Sequence, residues 1–241
     1  MSDTRPLQRL FVPQRLAQGL EITLERAQSH YVATVLRLQE GDEILLIDGE
    51  TGEWRAEIMH AHAKAALLRT AAQTRPLETP ADLWLCFAPI KRGRIDWMIE
   101  KACELGVARV VPVMTQRTIV DRLADERLRQ HMIEAAEQCG RTHIPEIAPL
   151  ARLPALLNAW PTERRLLFCD ETGGAALGMA PLDAPAAILI GPEGGFTPAE
   201  RDLLRTHPQT TAVSLGPRIL RADTAAVAAL AAWQALAGDW R

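Results

Sequence analysis

Two stretches near the C-terminus decide the fold: Ile188–Thr197 reads ILIGPEGGFT, and Leu215–Ala226 reads LGPRILRADTAA. Each follows apolar residues, turns at a Gly-Pro pair and leads into a predicted helix. Two such strand-to-helix corners predict a small-molecule pocket, because open α/β sheets bind ligands at the carboxyl ends of their strands. Glycine at these corners allows positive φ angles and close approach of a ligand to the backbone.

The first corner also carries a helix-start signal. Thr197 fits the N-cap position, Pro198 fits the first helical turn, and Glu200 completes a capping box. A tight turn before a well-capped helix has the same pattern, so this alternative stays open for either corner taken alone. The chain has no Gly-x-Gly-x-x-Gly after a strand and no Gly-Lys-Ser/Thr, which argues against a Rossmann or P-loop site.

Composition narrows the class of protein. The chain has 241 residues and a formal net charge of -3, so it can hold one large domain or two small ones and is not basic overall. Its first ten residues lack the apolar run of a secretory signal. The cysteines are scattered among apolar neighbours and the histidines lack zinc-ligand spacing. We therefore expect a cytoplasmic protein with buried, reduced thiols and no metal.

The periodicity changes near residue 72. Residues 1–71 predict a small β-rich domain, with a hairpin formed by Glu43–Asp48 and Glu53–His60 and a helix over His30–Leu38. Residues 72–81 contain two prolines and no periodicity, which is typical of a linker. Residues 82–241 alternate strands and helices and predict a mostly parallel sheet covered on both faces. Its strands are predicted at Leu83–Ala88, Val107–Val113, Arg165–Asp170, Ala187–Ile190 and Ala212–Leu215, and its helices at Ile95–Leu105, Leu123–Cys139 and Asp223–Ala237.

Charged residues cluster at two predicted helix starts. The segment Pro89–Arg94 (PIKRGR) places basic side chains where the helix dipole disfavours them. This predicts an external anion such as an RNA phosphate, with a solvated basic turn as the alternative. In the last block, Asp223 or Thr224 fits an N-cap. Arg221 has no capping role and is the better functional candidate.

The two C-terminal blocks together resemble the bacterial 16S rRNA uridine-N3-methyltransferases of the RsmE family. That family belongs to the SPOUT class and uses S-adenosylmethionine. The likeness continues through KRGRIDWMIEKACELGV, EAAEQCGR and HYVATVLRLQEGDEILLIDG. It implies an α/β fold with a SPOUT-type parallel sheet and a C-terminal trefoil knot, preceded by a small PUA-like β-barrel that helps to bind RNA. It also implies a homodimer that methylates N3 of a uridine in 16S rRNA on the small ribosomal subunit.

The resemblance also implies roles for individual residues. The place of Arg221 in the predicted pocket makes it the candidate stabiliser of negative charge on the base. Glu193 and Asp223 are candidate acceptors of the N3 proton, with the capping of a turn as the alternative role of either, and the sequence does not choose between them. Residues 1–75 hold nine Lys/Arg and ten Asp/Glu, so an RNA-binding patch there must be local, with Arg5 and Arg15 as further candidates. The predicted cofactor-binding residues are Ile190, Gly191, Pro192, Gly194, Gly195, Leu215, Gly216, Leu220, Arg221, Thr224 and Ala225. The predicted RNA-binding residues are Arg9, Arg37, Lys91, Arg92, Arg94 and Arg141.

Two other functions remain open on the sequence. The chain could be a non-catalytic RNA-binding or ribosome-assembly factor whose glycine corners are purely structural. It could also be a SPOUT enzyme that acts on tRNA. Cofactor binding separates the first alternative from an enzyme, and identification of the methylated RNA separates the second.

Overall fold

The computed structural model describes residues 7–120 and 122–240. The chain divides into two compact units: residues 1–79 with 136–144, and residues 80–135 with 145–241. The helix predicted over residues 30–38 instead spans residues 26–35, and residues 31–35 of it form a π-helix. The first unit contains the strands β1 (Arg9–Phe11), β2 (Glu21–Thr23), β3 (Glu43–Ile47), β4 (Glu53–His60) and β5 (Leu67–Arg75), the helix α1 (Arg26–His30) and the π-helix Tyr31–Val35.

The strands of the first unit form one sheet in the order β1-β3-β4-β5-β2. The predicted hairpin is confirmed, since β3 and β4 pair antiparallel with Ile44 opposite Ala56. All five strands contribute to one buried apolar cluster, so the sheet curls around its own core; the strand residues of this cluster include Leu10, Ile22, Ile44, Ile58 and Leu68.

The linker predicted at residues 72–81 is wrong in its first part, because β5 continues to Arg75. There Gln73 pairs with Trp54 of β4, and Arg75 pairs with Glu53. The end of β5 is polar and mostly exposed, so it lacks the apolar alternation by which strands are recognised.

Residues 136–144, predicted as part of the second domain, group with the first unit. The reason is a set of hydrogen bonds to that unit. The Glu137 carboxylate accepts from the Phe11 amide at 2.7 Å. The Gly140 carbonyl accepts from Arg75 at 2.7 Å.

The second unit is a parallel α/β sheet, as predicted. Its strands are β6 (Leu83–Phe87), β7 (Arg109–Met114), β8 (Glu146–Ile147), β9 (Ala151–Arg152), β10 (Arg165–Cys169), β11 (Ala175–Ala176), β12 (Ala186–Ile190) and β13 (Thr210–Ser214). Their order in the sheet is β11-β13-β10-β12-β6-β7-β8, and β9 pairs with β7. Every residue of β12 is buried, so both faces of the sheet are covered. The helices of the second unit are α2 (Arg94–Glu104), α3 (Asp125–Cys139), α4 (Leu153–Asn158), α5 (Pro198–Thr206) and α6 (Ala222–Leu236). The sequence analysis missed α4 and the three shortest strands, β8, β9 and β11.

The cysteines are only partly as predicted. Cys86 and Cys103 are buried, and burial raises the pKa of the Cys86 thiol to about 12. Cys139 is exposed, because it ends α3 just before the chain turns at Gly140. Within residues 7–120 and 122–240 no helix is long and apolar enough to cross a membrane, and no group of three metal-binding side chains occurs.

Glu53 is the charged centre of the first unit. Its side chain is 4% exposed and bonds to Arg9 at 2.6 Å and to Arg75 at 2.7 Å. Thr74 donates a further hydrogen bond at 2.9 Å. Burial alone would raise the pKa of Glu53, but the hydrogen bonds from Arg75, Arg9 and Thr74 outweigh it and hold the pKa at about 2. The carboxylate therefore stays ionised in the folded unit at all but very acidic pH.

We expect Glu53→Gln to lower the free energy of unfolding by about 3 kcal/mol at pH 7, the equivalent of a pKa lowered from 4.5 to about 2. A carboxylate with a depressed pKa stabilises the fold above its unfolded-state value. The difference between wild type and variant should thus shrink as the pH falls from 4.5 towards 2. Urea unfolding at several pH values measures it. Glu57→Gln, on an exposed residue of the same strand, should change stability by less than about 0.5 kcal/mol; an equal loss in both variants would contradict the prediction.

Candidate active site

The carboxyl ends of three neighbouring parallel strands surround a cavity of about 410 Å³. In the sheet, β10 lies between β12 and β13, so the segments that follow these strands emerge at the same edge. The two glycine-containing corners thereby become two walls of one cavity. Its lining consists of Cys169, Asp170, Glu171, Ile190, Gly191, Pro192, Glu193, Gly194, Gly195, Val213, Ser214, Leu215, Gly216, Pro217, Arg218, Ile219, Leu220, Arg221, Ala222 and Ala225.

The first wall is the turn after β12. The Gly195 amide donates to the Pro192 carbonyl at 2.9 Å, and Gly195 has a φ of 65°. A Cβ atom on Gly191 would lie 2.6 Å from the ring of Phe196, which is fully buried. Arg117 donates to the Gly194 carbonyl at 2.8 Å. The turn is therefore held by packing on one side and by a guanidinium on the other.

Glu200 fixes the start of α5 behind this turn. The predicted capping box is present: Thr197 Oγ1 accepts from the Glu200 amide at 3.3 Å, and the Glu200 carboxylate accepts from the Thr197 amide at 2.9 Å. The other carboxylate oxygen of Glu200 accepts from the Gln116 amide at 2.7 Å. One buried acid thus joins the turn to the loop after β7.

A third wall, which the sequence reading missed, follows β10. The Asp170 carboxylate is fully buried and accepts from the Thr172 amide at 2.9 Å and from Arg205 at 3.0 Å. Burial alone would raise the pKa of Asp170, but the hydrogen bonds from Thr172 and Arg205 outweigh it and hold the pKa below its ordinary value. Asp170 therefore acts as an ionised anchor of this wall. The only signal for this wall in the sequence was the acidic pair Asp170 and Glu171 directly after a buried strand.

Glu171 connects the third wall to the first. Its Oε1 accepts from Arg201 of α5 at 2.5 Å. A Cβ atom on Gly195 would lie 2.5 Å from the same oxygen, so the glycine turn and this carboxylate are in close proximity. Arg201 and Arg205 lie one helical turn apart on α5 and hold the two successive carboxylates of the pocket wall.

The second glycine corner leads into α6, and its capping differs from the prediction. Arg221, in extended conformation, is the N-cap residue, and no side chain caps the helix. Asp223 instead lies in the first turn, where the dipole favours a carboxylate, and accepts from the Thr224 amide at 2.9 Å. Glu193 and Arg221 line the cavity, whereas Asp223 and Thr224 are absent from its lining.

The basic segment lies at the same sheet edge as the cavity. The Ala88 amide, just after β6, donates to the Ile190 carbonyl at 3.0 Å. Lys91 and Arg92 are exposed, and Arg94 is half-buried. The turn is held by Asp96, which accepts from the Gly93 amide at 3.1 Å. The predicted anion-binding turn therefore borders the strand that carries the first wall.

The arginines predicted to bind RNA in the first unit differ widely in exposure. Arg141 is 6% exposed and bonds to Glu78 at 2.7 Å. The guanidinium is buried within the first unit, which disfavours the predicted RNA contact. Arg9 is held by Glu53, whereas Arg37 is exposed. Arg5 lies outside the described residues.

Family models match both parts of the chain. Residues 77–234 match the RNA methyltransferase domain. Residues 24–70 match the RNA methyltransferase PUA domain. Fold and matches together define an RNA methyltransferase with an N-terminal PUA domain. The parallel α/β sheet and the PUA-like domain are thereby confirmed, while the SPOUT class and the trefoil knot stay predictions.

Individual relatives narrow the class further. A ribosomal RNA small subunit methyltransferase E of Rickettsia conorii is 32% identical over 92% of this chain and 93% of the relative. A relative of the same name in Synechocystis is 37% identical over 89% of this chain and 73% of its own length. The chain belongs to the ribosomal RNA small subunit methyltransferase E family.

Solved structures agree over nearly the whole chain. The family member of Neisseria gonorrhoeae, bound to S-adenosyl methionine, has a TM-score of 0.88 and 30% identity, covering 98% of this chain and 100% of that one. A putative methyltransferase of Legionella pneumophila, in complex with the bound cofactor SAM, has a TM-score of 0.89, 30% identity and the same coverage.

We expect Asp170→Asn to lower the free energy of unfolding by about 2 kcal/mol at pH 7, because the amide leaves Arg205 and the Thr172 donors poorly matched in a buried position. Asp202→Asn, on an exposed residue of α5, should change it by less than about 0.5 kcal/mol. Urea unfolding measures both. Equal stability of Asp170→Asn and wild type would contradict the anchoring role.

Proposed function

We propose that this protein is an S-adenosylmethionine-dependent methyltransferase that methylates N3 of one uridine in 16S rRNA, with the small ribosomal subunit as substrate. The observation that carries the proposal is the cavity formed where the two glycine-containing corners meet. Membership of the family and the cofactor bound in its solved members support the choice of ligand. We further propose that it acts as a homodimer, as the sequence resemblance implies, and in the cytoplasm, as its scattered cysteines among apolar neighbours indicate.

The residues of the cavity fit the cofactor. A volume of about 410 Å³ lies in the range of sites for small organic ligands, about 300–1,000 Å³. Ile190, Leu215 and Leu220 offer apolar contacts to an adenine, and the glycine turns offer backbone donors and acceptors. The carboxylates of Glu171 and Glu193 complement a cationic ligand. S-adenosylmethionine, when bound, supplies a methyl group activated by its sulfonium. Of the residues predicted to bind it, only Thr224 lies outside the cavity lining.

Two exposed side chains in the lining can act on the target base. Arg221 carries a guanidinium, so it can donate hydrogen bonds to a uracil oxygen and stabilise the negative charge there as N3 loses its proton. Glu193 is an exposed carboxylate on the first turn and is our candidate acceptor of that proton. Asp223 is the weaker candidate, because its carboxylate bonds to the Thr224 amide and is absent from the lining.

The basic turn fits an RNA substrate. Lys91, Arg92 and Arg94 lie at the sheet edge that holds the cavity, where their charges can bind phosphates beside the target nucleotide. A uridine exposes N3 only when it is unpaired, so the substrate must present the base in a loop or in a flipped-out conformation. We accordingly assign RNA positioning to this turn and chemistry to the cavity.

Transfer of a radiolabelled methyl group tests the function. Unmodified small subunits, naked 16S rRNA and bulk tRNA would be supplied in parallel, and the products digested to nucleosides. Label in N3-methyluridine from small subunits is the expected result. Label in tRNA would overturn the substrate but keep the enzyme class. Absence of both label and cofactor binding would favour the non-catalytic RNA-binding factor.

Gly195→Ala should weaken S-adenosylmethionine binding at least about tenfold. The new Cβ would lie 2.5 Å from Glu171 Oε1, at a residue whose φ is 65°. The matched control is Gly41→Ala, which introduces a Cβ at a φ of 87° with nothing within 4 Å. Both variants carry similar backbone strain, so calorimetric titration isolates the effect on the cavity. Unchanged affinity in a folded Gly195→Ala protein would refute the cavity assignment.

Arg221→Ala should keep cofactor affinity within a few-fold and reduce methyl transfer by about 10²–10³, the typical cost of losing a donor to developing negative charge. Arg221→Lys should recover part of the rate, because it restores the charge without the planar fork. Single-turnover methylation of small subunits gives the rate, and calorimetry gives the affinity. Near-normal turnover by the alanine variant would exclude the proposed role.

A further inference from the structure

The helical segment of the first unit ends in an unusual way at Arg37. The Leu38 amide donates to the Val32 carbonyl at 3.1 Å, and the Leu36 amide donates to the Tyr31 carbonyl at 2.9 Å. Arg37 lies between these two donors with a φ of 57°. A left-handed residue just past the end of a helix, followed by an amide that bonds back into its last turn, is a common helix end, and glycine is its usual residue.

Arg37 departs from the usual preference for glycine at a helix end of this kind. Throughout residues 7–120 and 122–240, every other residue with positive φ is glycine. The conformation itself is imposed by packing, because Leu36 and Leu38 on either side of Arg37 both lie against the core of the first unit. A glycine would meet this demand without steric cost. The side chain of Arg37 is therefore kept against the local preference of the backbone, which is typical of functional positions.

In the part of the chain that the structure describes, the guanidinium of Arg37 has no intramolecular partner. Arg37 is exposed, and no hydrogen bond or ion pair of its side chain occurs there. The two acids that follow have other partners: Glu40 bonds to His60 at 3.1 Å, and Asp42 accepts from the Gln39 amide at 2.7 Å.

The other described arginines that the sequence predicts to bind RNA from the first unit are already paired. Arg9, Arg15 and Arg141 bond to Glu53, Glu50 and Glu78, respectively. This separates Arg37 from the remaining candidates of the predicted basic patch. Its charge is available to an external anion, while theirs is at least partly neutralised within the unit.

We propose that Arg37 is a phosphate contact of the first unit, and that its guanidinium binds the backbone of the substrate RNA. A guanidinium can donate two parallel hydrogen bonds to one phosphate. The fixed backbone at residue 37 holds the side chain outside the folded core, so less freedom is lost on binding. The inference rests on the proposed function, since it takes RNA as the partner.

Arg37→Asn separates binding from folding, because asparagine tolerates a left-handed backbone but carries no charge. The matched control is Arg55→Asn, at another exposed arginine of the unit, which bonds to Glu43 at 3.5 Å. We expect Arg37→Asn to weaken binding of naked 16S rRNA about tenfold. The slope of log K against the logarithm of the salt concentration should become less steep by about one, because one phosphate contact is lost. Thermal stability and S-adenosylmethionine affinity should not fall. Arg37→Lys should retain the salt dependence.

Each outcome decides the question. If wild type methylates small subunits but Arg37→Asn binds RNA as wild type does, the phosphate contact is wrong and the proposed function stands. If Arg37→Asn melts at a lower temperature than wild type, Arg37 has a structural role and the inference fails. An equal loss in Arg55→Asn would mean that any positive charge on the unit suffices. Failure of the wild type itself to bind or methylate RNA would overturn the proposed function instead.

Discussion

The structure depends on the parallel pairing of β10 with both β12 and β13. Leu167 in β10 lies opposite Ile188 on one side and Thr211 on the other. Because the three strands run in the same direction, their carboxyl ends reach one edge of the sheet. Segments far apart in the chain thereby become the walls of one cavity. The connection from β12 to β13 contains α5, so the same crossover carries Arg201 and Arg205 to the acids after β10.

Buried carboxylates in both units are stabilised in the same way. Glu53 and Asp170 lose hydration on burial, yet each receives donors from arginine and threonine, and the pKa of each is lowered. An acid with these partners has little capacity to accept another proton. This has a chemical consequence at the cavity. Asp170 is an anchor, and proton transfer falls to a carboxylate without such donors, for which Glu193 is the candidate.

Much of the fold could be predicted because its signals are local. Apolar periodicity indicated the parallel sheet, a glycine-containing loop indicated the hairpin, and Thr197 with Glu200 indicated the helix start. The limits were set by interactions between distant residues. The burial of Arg141 depends on Glu78, 63 positions earlier in the chain. The end of β5 depends on its pairing with β4 rather than on its own side chains.

The same limit applied to the site: features that depend on neighbouring residues could be predicted, and features that depend on distant residues could not. The glycines of both corners stood out in the sequence because their backbone requirements are local. Asp170 and Glu171 did not, because their importance comes from arginines on a helix that follows 30 positions later in the chain. The cap of α6 was wrong for a related reason: Asp223 has the chemistry of a cap residue, but the helix begins one residue earlier than the sequence indicated.

The grouping of residues 136–144 with the first unit has a consequence for biosynthesis. The amide of Phe11, the side chain of Arg75 and the carboxylate of Glu78 all find partners in this later segment. A nascent chain that has emerged only to residue 79 therefore lacks part of its first unit. More than half of the polypeptide must leave the ribosome before the N-terminal unit can close, so its completion waits for the first strands and helices of the second.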